Sequence, residues 1–480
     1  MRLVPRSDRG RLLLAIGATA AILLPIGWFW QASLVPDTYD IAEMGYADYG
    51  GGPRSGHGHG HGQAVADLVA DPDLTADVRV TLTARRDGDR YTVNGTTPGP
   101  TIRAVQGDLV EVTLENDNVK DGTTLHWHGV EVPNAMDGVA GVTQDAVGPG
   151  ESYVYRFVAE QPGTYWYHSH QVSHEQVREG LLGALVIEPR GGLPEEKEAL
   201  AVLHRYRSDS TVNGERETQT VAASPGELVR VRVINTDNAL VPVWVTGAGF
   251  RVLAVDGRDL NGPGEVRDKT VVVTAGGRVD LGVVVPEGGA RVDFGGDAAL
   301  VLGEDPGGGE TPDQPERFLD LLSYGEPADP GFDPSAPDRR FDYSIGRRIG
   351  FLDGKPGRWW TVNGHLFPDV PMFMVEEGDV VVFRIENHSG ETHPMHLHGH
   401  HALVLSRDGQ KASGSPWWVD SLEVGTNQEF EIAFLADNPG IWMDHCHNLP
   451  HASEGLTAHV MYAGIESSFE IGGDDDNHPE

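Results

Sequence analysis

The sequence predicts an all-β protein of three consecutive β-sandwich domains, and three observations lead there. Its 480 residues leave room for roughly three domains. Gly (62) and Pro (31) are frequent and the periodic segments are short, as in β proteins. One pattern also occurs three times. Thr92-Val93-Asn94-Gly95 leads to Gln106-Gly107-Asp108 and an alternating run ending at Asn116; Thr211-Val212-Asn213-Gly214 leads to Pro225-Gly226-Glu227 and a run ending at Asn235; Thr361-Val362-Asn363-Gly364 leads to Glu377-Gly378-Asp379 and a run ending at Asn387. In each copy the Asn stands nine positions after Gly107, Gly226 or Gly378, and the alternation between them reads as a strand with one buried face.

Taken in order, residues 12–36 carry no charge and follow Arg2, Arg6, Arg9 and Arg11, the composition of a bilayer-spanning helix with its basic end inside. Residues 1–36 therefore read as an uncleaved membrane anchor. The competing reading is a cleaved signal peptide, disfavoured by the bulky Trp28-Phe29-Trp30 and the absence of a good small-residue cleavage site. Either reading places the remainder outside the cytoplasm, and no twin-arginine pair is present. Residues 37–70 form a Gly/His-rich tether whose His57, His59 and His61 could hold Cu or Zn loosely or be incidental to a flexible linker. The three repeats then set domains at 71–192, 193–303 and 343–466, joined by a Gly-, Pro- and Asp-rich linker at 304–342. The acidic tail, 467–480, reads as disordered at its end. A net charge of -36 argues against nucleic acid as partner and suits solubility, or attraction of cations.

Chemistry enters as each repeat continues. About ten residues after each Asn the first copy has His126-Trp127-His128-Gly129, the second Trp244-Val245-Thr246-Gly247, and the third His396-Leu397-His398-Gly399. Further on, His168-Ser169-His170 aligns with His445-Cys446-His447, so Ser169 stands where the only cysteine of the chain stands in the last domain. That cysteine cannot form an intramolecular disulfide, and its neighbours favour metal ligation. On a strand, Cys446 faces one side while His445 and His447 face the other, so one peptide could serve two sites. A thiolate with two imidazoles is a blue copper ligand set, and His451 supplies one imidazole locally. His174, five residues after Ser169, could echo His451, although a surface histidine is the plainer reading. Paired His-x-His motifs in the first and third repeats alone require those domains to face each other across a shared metal site.

Residues 75–465 resemble the three-domain multicopper oxidases of the laccase and metallo-oxidase family. The motifs His-Trp-His-Gly, His-Ser-His, His-Pro-Met-His-Leu-His-Gly and His-Cys-His-x3-His-x4-Leu are intact and in order. The resemblance implies cupredoxin-like Greek-key sandwiches and four copper ions. It implies a type 1 copper on His393, Cys446 and His451, with Leu456 at the axial position as a non-coordinating residue that raises the potential. It implies type 2 copper on His126 and His396, and a type 3 pair on His128, His168 and His447 and on His170, His398 and His445. Electrons from a small reducing substrate would pass from the type 1 site through Cys446 to His445 and His447, and O2 would be reduced to water. Asp137 resembles the family's acid near the cluster, its plainer role being a turn before Gly138. A second acid found after the last type 1 His in some relatives is missing, since Ala452 stands there, leaving Glu454 or water as substitutes.

The resulting expectation is a laccase-like oxidase of phenols. A metallo-oxidase acting on Cu(I), Fe(II) or Mn(II) is the alternative, with Cu(I) poorly supported because only 8 Met occur. A non-catalytic envelope scaffold is a minor alternative, opposed by the survival of all eleven ligand candidates. Three repeats in one chain also point to a monomer.

Overall fold

The computed structural model describes residues 7–53, 62–194, 197–308 and 311–480. The expected loose metal tract His57, His59 and His61 lies outside the described residues.

The repeat is a shared piece of architecture. In each copy the Asn of the Thr-Val-Asn-Gly turn takes a left-handed backbone, with φ of 53° at Asn94, 53° at Asn213 and 52° at Asn363, and Gly follows, the chemistry of a tight hairpin. Each of these side chains also clasps the preceding strand: Asn94 Oδ1 accepts the Thr83 amide, Asn213 Oδ1 that of Val202, and Asn363 Oδ1 that of Ser344. The alternating runs form strands Leu109–Asn116, Leu228–Asn235 and Val380–Asn387, each parallel to the strand that opens its repeat, Val78–Asp87, Lys197–Tyr206 and Arg339–Leu352. The Asn ending each run is buried and spends its amide on loop carbonyls, as Asn387 does with Glu391, Val424 and Gly425.

Two sheets pack face to face in each repeat. The first pairs Val78–Asp87, Arg90–Val93, Leu109–Asn116 and Ser152–Val158 with a sheet of Ile102–Val105, Leu182–Glu188, Gly163–His168 and His126–His128. The second and third repeat this plan, each with its own apolar core. The histidine motifs lie on adjacent strands. His126 and His128 pair in register with His168 and Trp166, and His396 pairs with His445. The paired histidines thus come together at the domain boundary because sheet register puts them there.

Three expectations about connecting segments need correction. The acidic end of the chain is packed, not disordered: Ile471–Gly472 pairs with Thr38–Tyr39, and Asn477 is buried with its amide on Asp145 and Glu470. The segment read as a tether is held in its described parts, since Tyr46–Asp48 adds a parallel strand to the third domain and Ile41, Met44 and Val65 enter its core. The strand opening the third domain begins at Arg339, inside the range read as linker, and the linker's Leu322 and Tyr324 are buried. Scattered apolar residues carry these packings in segments whose Gly, Pro and Asp content looks like loop.

Candidate metal centre

Cys446 ends strand Ile441–Cys446, and its buried sulfur faces the third-domain core. His393 Nδ1 lies 3.5 Å from Sγ, His451 Nδ1 lies 3.8 Å away, and the two nitrogens are 3.2 Å apart. The short helix Leu449–Ser453 carries His451, and Leu456 closes the loop behind it, fully buried, with its carbonyl accepting the Cys446 amide. The tautomer of His393 follows from its surroundings. The Ser389 hydroxyl donates to Asn387 Oδ1, so its oxygen is left to accept His393 Nε2–H at 2.8 Å, and Nδ1 keeps a lone pair aimed at the sulfur. Burial, with His451 alongside, pulls the His393 pKa down to about 3, and burial pushes the Cys446 thiol up. A thiol and two neutral imidazoles with converging lone pairs are a soft cation site.

Across the same strand, His445 and His447 enter a cage with His126, His128, His168, His170, His396 and His398, all eight buried. Acceptors outside the cage fix the ring tautomers. His126 Nδ1–H donates to the Asp137 carbonyl at 3.0 Å, and His396 Nδ1–H to the Asp420 carbonyl at 2.9 Å, so two Nε2 lone pairs face each other 3.4 Å apart. His398 Nδ1–H donates to Asp137 Oδ2 at 3.0 Å, leaving its Nε2 3.2 Å from His445 Nε2. His128 Nε2–H donates to Asp420 Oδ1 at 3.1 Å, which turns its unpartnered Nδ1 inward. His168 Nε2 and both nitrogens of His170 and His447 have no hydrogen-bond partner. Buried orphan acceptors each cost about 1–3 kcal/mol, and opposed lone pairs add repulsion, so the cage is complementary to cations. Burial lowers the pKa of seven of these imidazoles, His447 to about 3, which keeps them neutral and ready to ligate.

The expected groupings appear unevenly. Ligand atoms of His393, Cys446 and His451 and of His170, His398 and His445 converge within 4.8 Å, as do those of His126, His396 and His398. In the remaining trio, ring centroids of His128 and His447 are 4.9 Å apart and those of His168 and His447 5.6 Å. His174 is half-buried on the helix Ser173–Gln176. Asp137 is fully buried and holds both His126 and His398; burial raises its pKa while His126 opposes that.

Sequence reasoning missed the supports. Asp420 is gripped by Arg278 through two hydrogen bonds of 2.6 Å, while Asp256 Oδ2 accepts the amides of Asp420 and Ser421. Arg278 and Asp256 belong to the middle domain, so the domain without paired histidines helps build the cage. Gly276, at φ +77°, sits so close that a Cβ there would lie 2.7 Å from His128 and 3.0 Å from His447. Glu480 Oε1 lies 3.2 Å from His445 Nδ1, and burial raises the Glu480 pKa to about 8. No spacing motif marks any of these; the two adjacent glycines before Arg278 were the one local signal.

A chain of three sandwiches whose outer domains share a cage of imidazoles, wired by one strand to a Cys/His2 site, is by its construction a copper-binding redox protein. Models of multicopper oxidase domains match residues 76–192 and 342–464. Among relatives, the iron transport multicopper oxidase fetC of Epichloe festucae is 28% identical over 459 residues, covering 78% of this chain and 73% of that one. Laccase-1 of Botryotinia fuckeliana is 28% identical over 456 residues, with 78% of each chain covered. The crystal structure of a multi-copper oxidase from Pseudomonas thermotolerans superposes with a TM-score of 0.66 at 28% identity, covering 81% of this chain and all of that one. The chain belongs to the multicopper oxidase family, and it is a copper-dependent oxidoreductase with O2 as electron acceptor and four copper ions as cofactors.

Proposed function

We propose that this chain is a laccase-like oxidase, coupling one-electron oxidation of phenol-type reductants at the Cys446 site to reduction of O2 in the histidine cage. The observation that carries the reading is the strand end itself, with the Cys446 sulfur among His393 and His451 on one face and His445 against His398 and His170 on the other. In this assignment His393, Cys446 and His451 hold type 1 copper, with Leu456 as an apolar, non-coordinating neighbour. His126 and His396 hold type 2 copper, and His128, His168 and His447, with His170, His398 and His445, hold the type 3 pair. Copper bound there would supply one-electron storage between the reductant and O2. The protein fixes the tautomers of His126, His128, His396 and His398 from outside the cage, excludes bulk water by burial, and places the Asp137 carboxyl against His398 as an acid for proton delivery.

Reductant identity is read at the outer edge of His451, whose side chain is 14% exposed. Trp360 packs edge-on against His393 and tilted against His451, with ring centroids 4.7 and 4.4 Å away. Two carboxylates lie nearby, and both are engaged: Glu391 bonds Arg347, and Glu454 accepts the Trp360 indole N–H at 2.9 Å. An aromatic edge with one carboxylate paired to arginine and the other held by an indole N–H suits a phenol better than a free cation. Glu391 Oε2 at 3.7 Å from His451 Nε2 is the observation favouring the second reading, oxidation of Fe(II) or another metal ion. Comparing O2 uptake with a phenol, Cu(I), Fe(II) and Mn(II) separates the two. A phenol rate below every metal rate would sink the first reading.

The apolar helix Asp8–Ala32 fits an uncleaved anchor, and the protein a monomer held on the outer face of the cell membrane. The anchor is supported by length and composition, and the monomer by a site drawn from one chain. A measured mass of the mature protein lacking these residues would overturn the anchor.

A further inference from the structure

His401 is a buried histidine that belongs to none of the convergent ligand groups among the described residues. It stands just before strand Ala402–Arg407, where all three domains meet. Its Nδ1 lies 2.9 Å from Glu131 Oε1 of the first domain. Its Nε2 lies 2.8 Å from the Asp256 carbonyl of the second domain and 3.3 Å from Asp420 Oδ2 of the third. Each of these neighbours accepts hydrogen bonds. Glu131 is ionised, since it also pairs with Arg258, so Nδ1 must carry a proton. A carbonyl can only accept, so Nε2 must carry one too. A ring that donates from both nitrogens is an imidazolium. The longer approach of Arg258 Nη2 to Nδ1, 3.4 Å, is then a contact between two donors drawn together by the carboxylate they share.

The charges around the ring agree with that state. Glu131, Asp256 and Asp420 are three carboxyls, and Arg258, Arg278 and His401 are the three bases that face them. Burial and Asp420 raise the Asp256 pKa to about 6, which leaves it ionised at neutral pH. His400 stays neutral, with Nδ1–H donating to the His398 carbonyl at 3.1 Å and Nε2 accepting the Tyr462 hydroxyl at 2.7 Å. Burial and Arg258 push the His401 pKa down, but the hydrogen bonds to Asp420 and Glu131 outweigh them and raise it.

That proton bears on the cage. Asp420 Oδ2 is shared by His401 and Arg278, while Oδ1 accepts His128 Nε2–H and lies 3.7 Å from His396 Nδ1. A carboxylate held between two cations is a weak acceptor. Stripped of one, it accepts more strongly and makes the imidazole it holds a more basic ligand.

We propose that His401 is a positioning residue for O2 reduction, an imidazolium that shares Asp420 with Arg278 and so sets the ligand strength of His128 and His396. The inference rests on the cage holding copper, as read above, and is independent of which reductant feeds the Cys446 site. Loss of the His401 proton at alkaline pH leaves Asp420 with one cation, strengthens the imidazole donors and makes the cage harder to reduce.

The test is an EPR titration of the copper-loaded full chain across neutral pH, following the non-blue signal assigned to His126 and His396. In the wild type that signal should change in one step on the alkaline side. Glu131→Gln removes the anion at Nδ1, so the step should move toward acid by about 1–3 pH units. His401→Gln keeps a side chain that can donate to Asp420 but cannot titrate, so the step should vanish. In that variant kcat for O2 uptake at neutral pH should fall about tenfold, with KM for the reductant unchanged. A merely structural His401 would lower the unfolding free energy of the variant and leave the step in place. A step that survives His401→Gln, or the lack of one in both the wild type and Glu131→Gln, overturns the inference and leaves the copper assignment standing. Copper-replete protein with no signal beside that of the blue site overturns both.

Discussion

Cys446 is one side chain serving two sites, since its sulfur belongs to the third-domain core while its two neighbours in sequence belong to the cage. Cys446→Ser should therefore remove the blue thiolate absorption and O2 uptake together. A variant that still consumes O2 with phenols would show that electrons take another path. Asp137→Asn separates two roles of one carboxyl. The asparagine oxygen can still accept from His398, so blue absorption and copper content should persist while O2 reduction slows by about 10²–10⁴-fold, the usual span for a lost proton donor. An unchanged rate would reduce Asp137 to positioning and turn formation. At this scale the sequence revealed what repeats. Every paired histidine, the thiolate and Asp137 stand in recurring or recognisable spacings, whereas Asp420, Ser389 and Glu480 act singly, and their role depends on which ring they meet in space.

Among elements, the repeated Asn clasp is a structural device with a functional reach. Asn387 ties together the loop that carries Ser389 and leads to His393. Asn387→Leu leaves buried carbonyls without a donor and should cost on the order of 2–4 kcal/mol in chemical unfolding. It should also weaken blue absorption by loosening the Ser389 bond to His393. The loop at Gly276 is a sharper case. Gly276→Ala requires a left-handed backbone and drives a methyl into His128 and His447, so the cage should lose copper while the Cys446 site keeps its colour. Full occupancy of both sites in metal analysis would contradict the close packing described. Strands were legible from alternation and turns from Asn-Gly. The strands that the segments near residues 46 and 471 form were hidden, because two or three residues carry too little periodicity to stand out from loop.

At the scale of the molecule, the middle domain holds the other two together through buried charge. Arg278 and Asp256 reach Asp420, and Arg258 pairs with Glu131 of the first domain, which also accepts from His401 of the third at 2.9 Å. Burial alone would raise the Glu131 pKa, but the His401 hydrogen bond and the charges of His401 and Arg258 hold it at about 2. A depressed folded-state value means the carboxylate stabilises the fold above its unfolded pKa near 4.5, and that contribution is lost as pH falls toward 2. The contribution is on the order of 3 kcal/mol. Unfolding free energy measured between pH 5 and 2 should drop steeply in the wild type and more gently in Glu131→Gln; parallel curves would remove Glu131 from the interface energetics. The sequence showed that the outer domains must meet, since they alone carry paired histidines. It did not show how, because two arginines and an aspartate in a domain without histidine pairs look like ordinary surface charge until the sheets are assembled.

The central claim is that electrons collected at Cys446 are delivered together to O2 in the cage. Counting phenol oxidised against O2 consumed, with hydrogen peroxide assayed in the same vessel, tests it most directly. The arrangement predicts four phenols per O2 and no peroxide. Two phenols per O2 with matching peroxide would mean that the cage does not act as one cluster, and the junction at His445-Cys446-His447 would not have the role given to it.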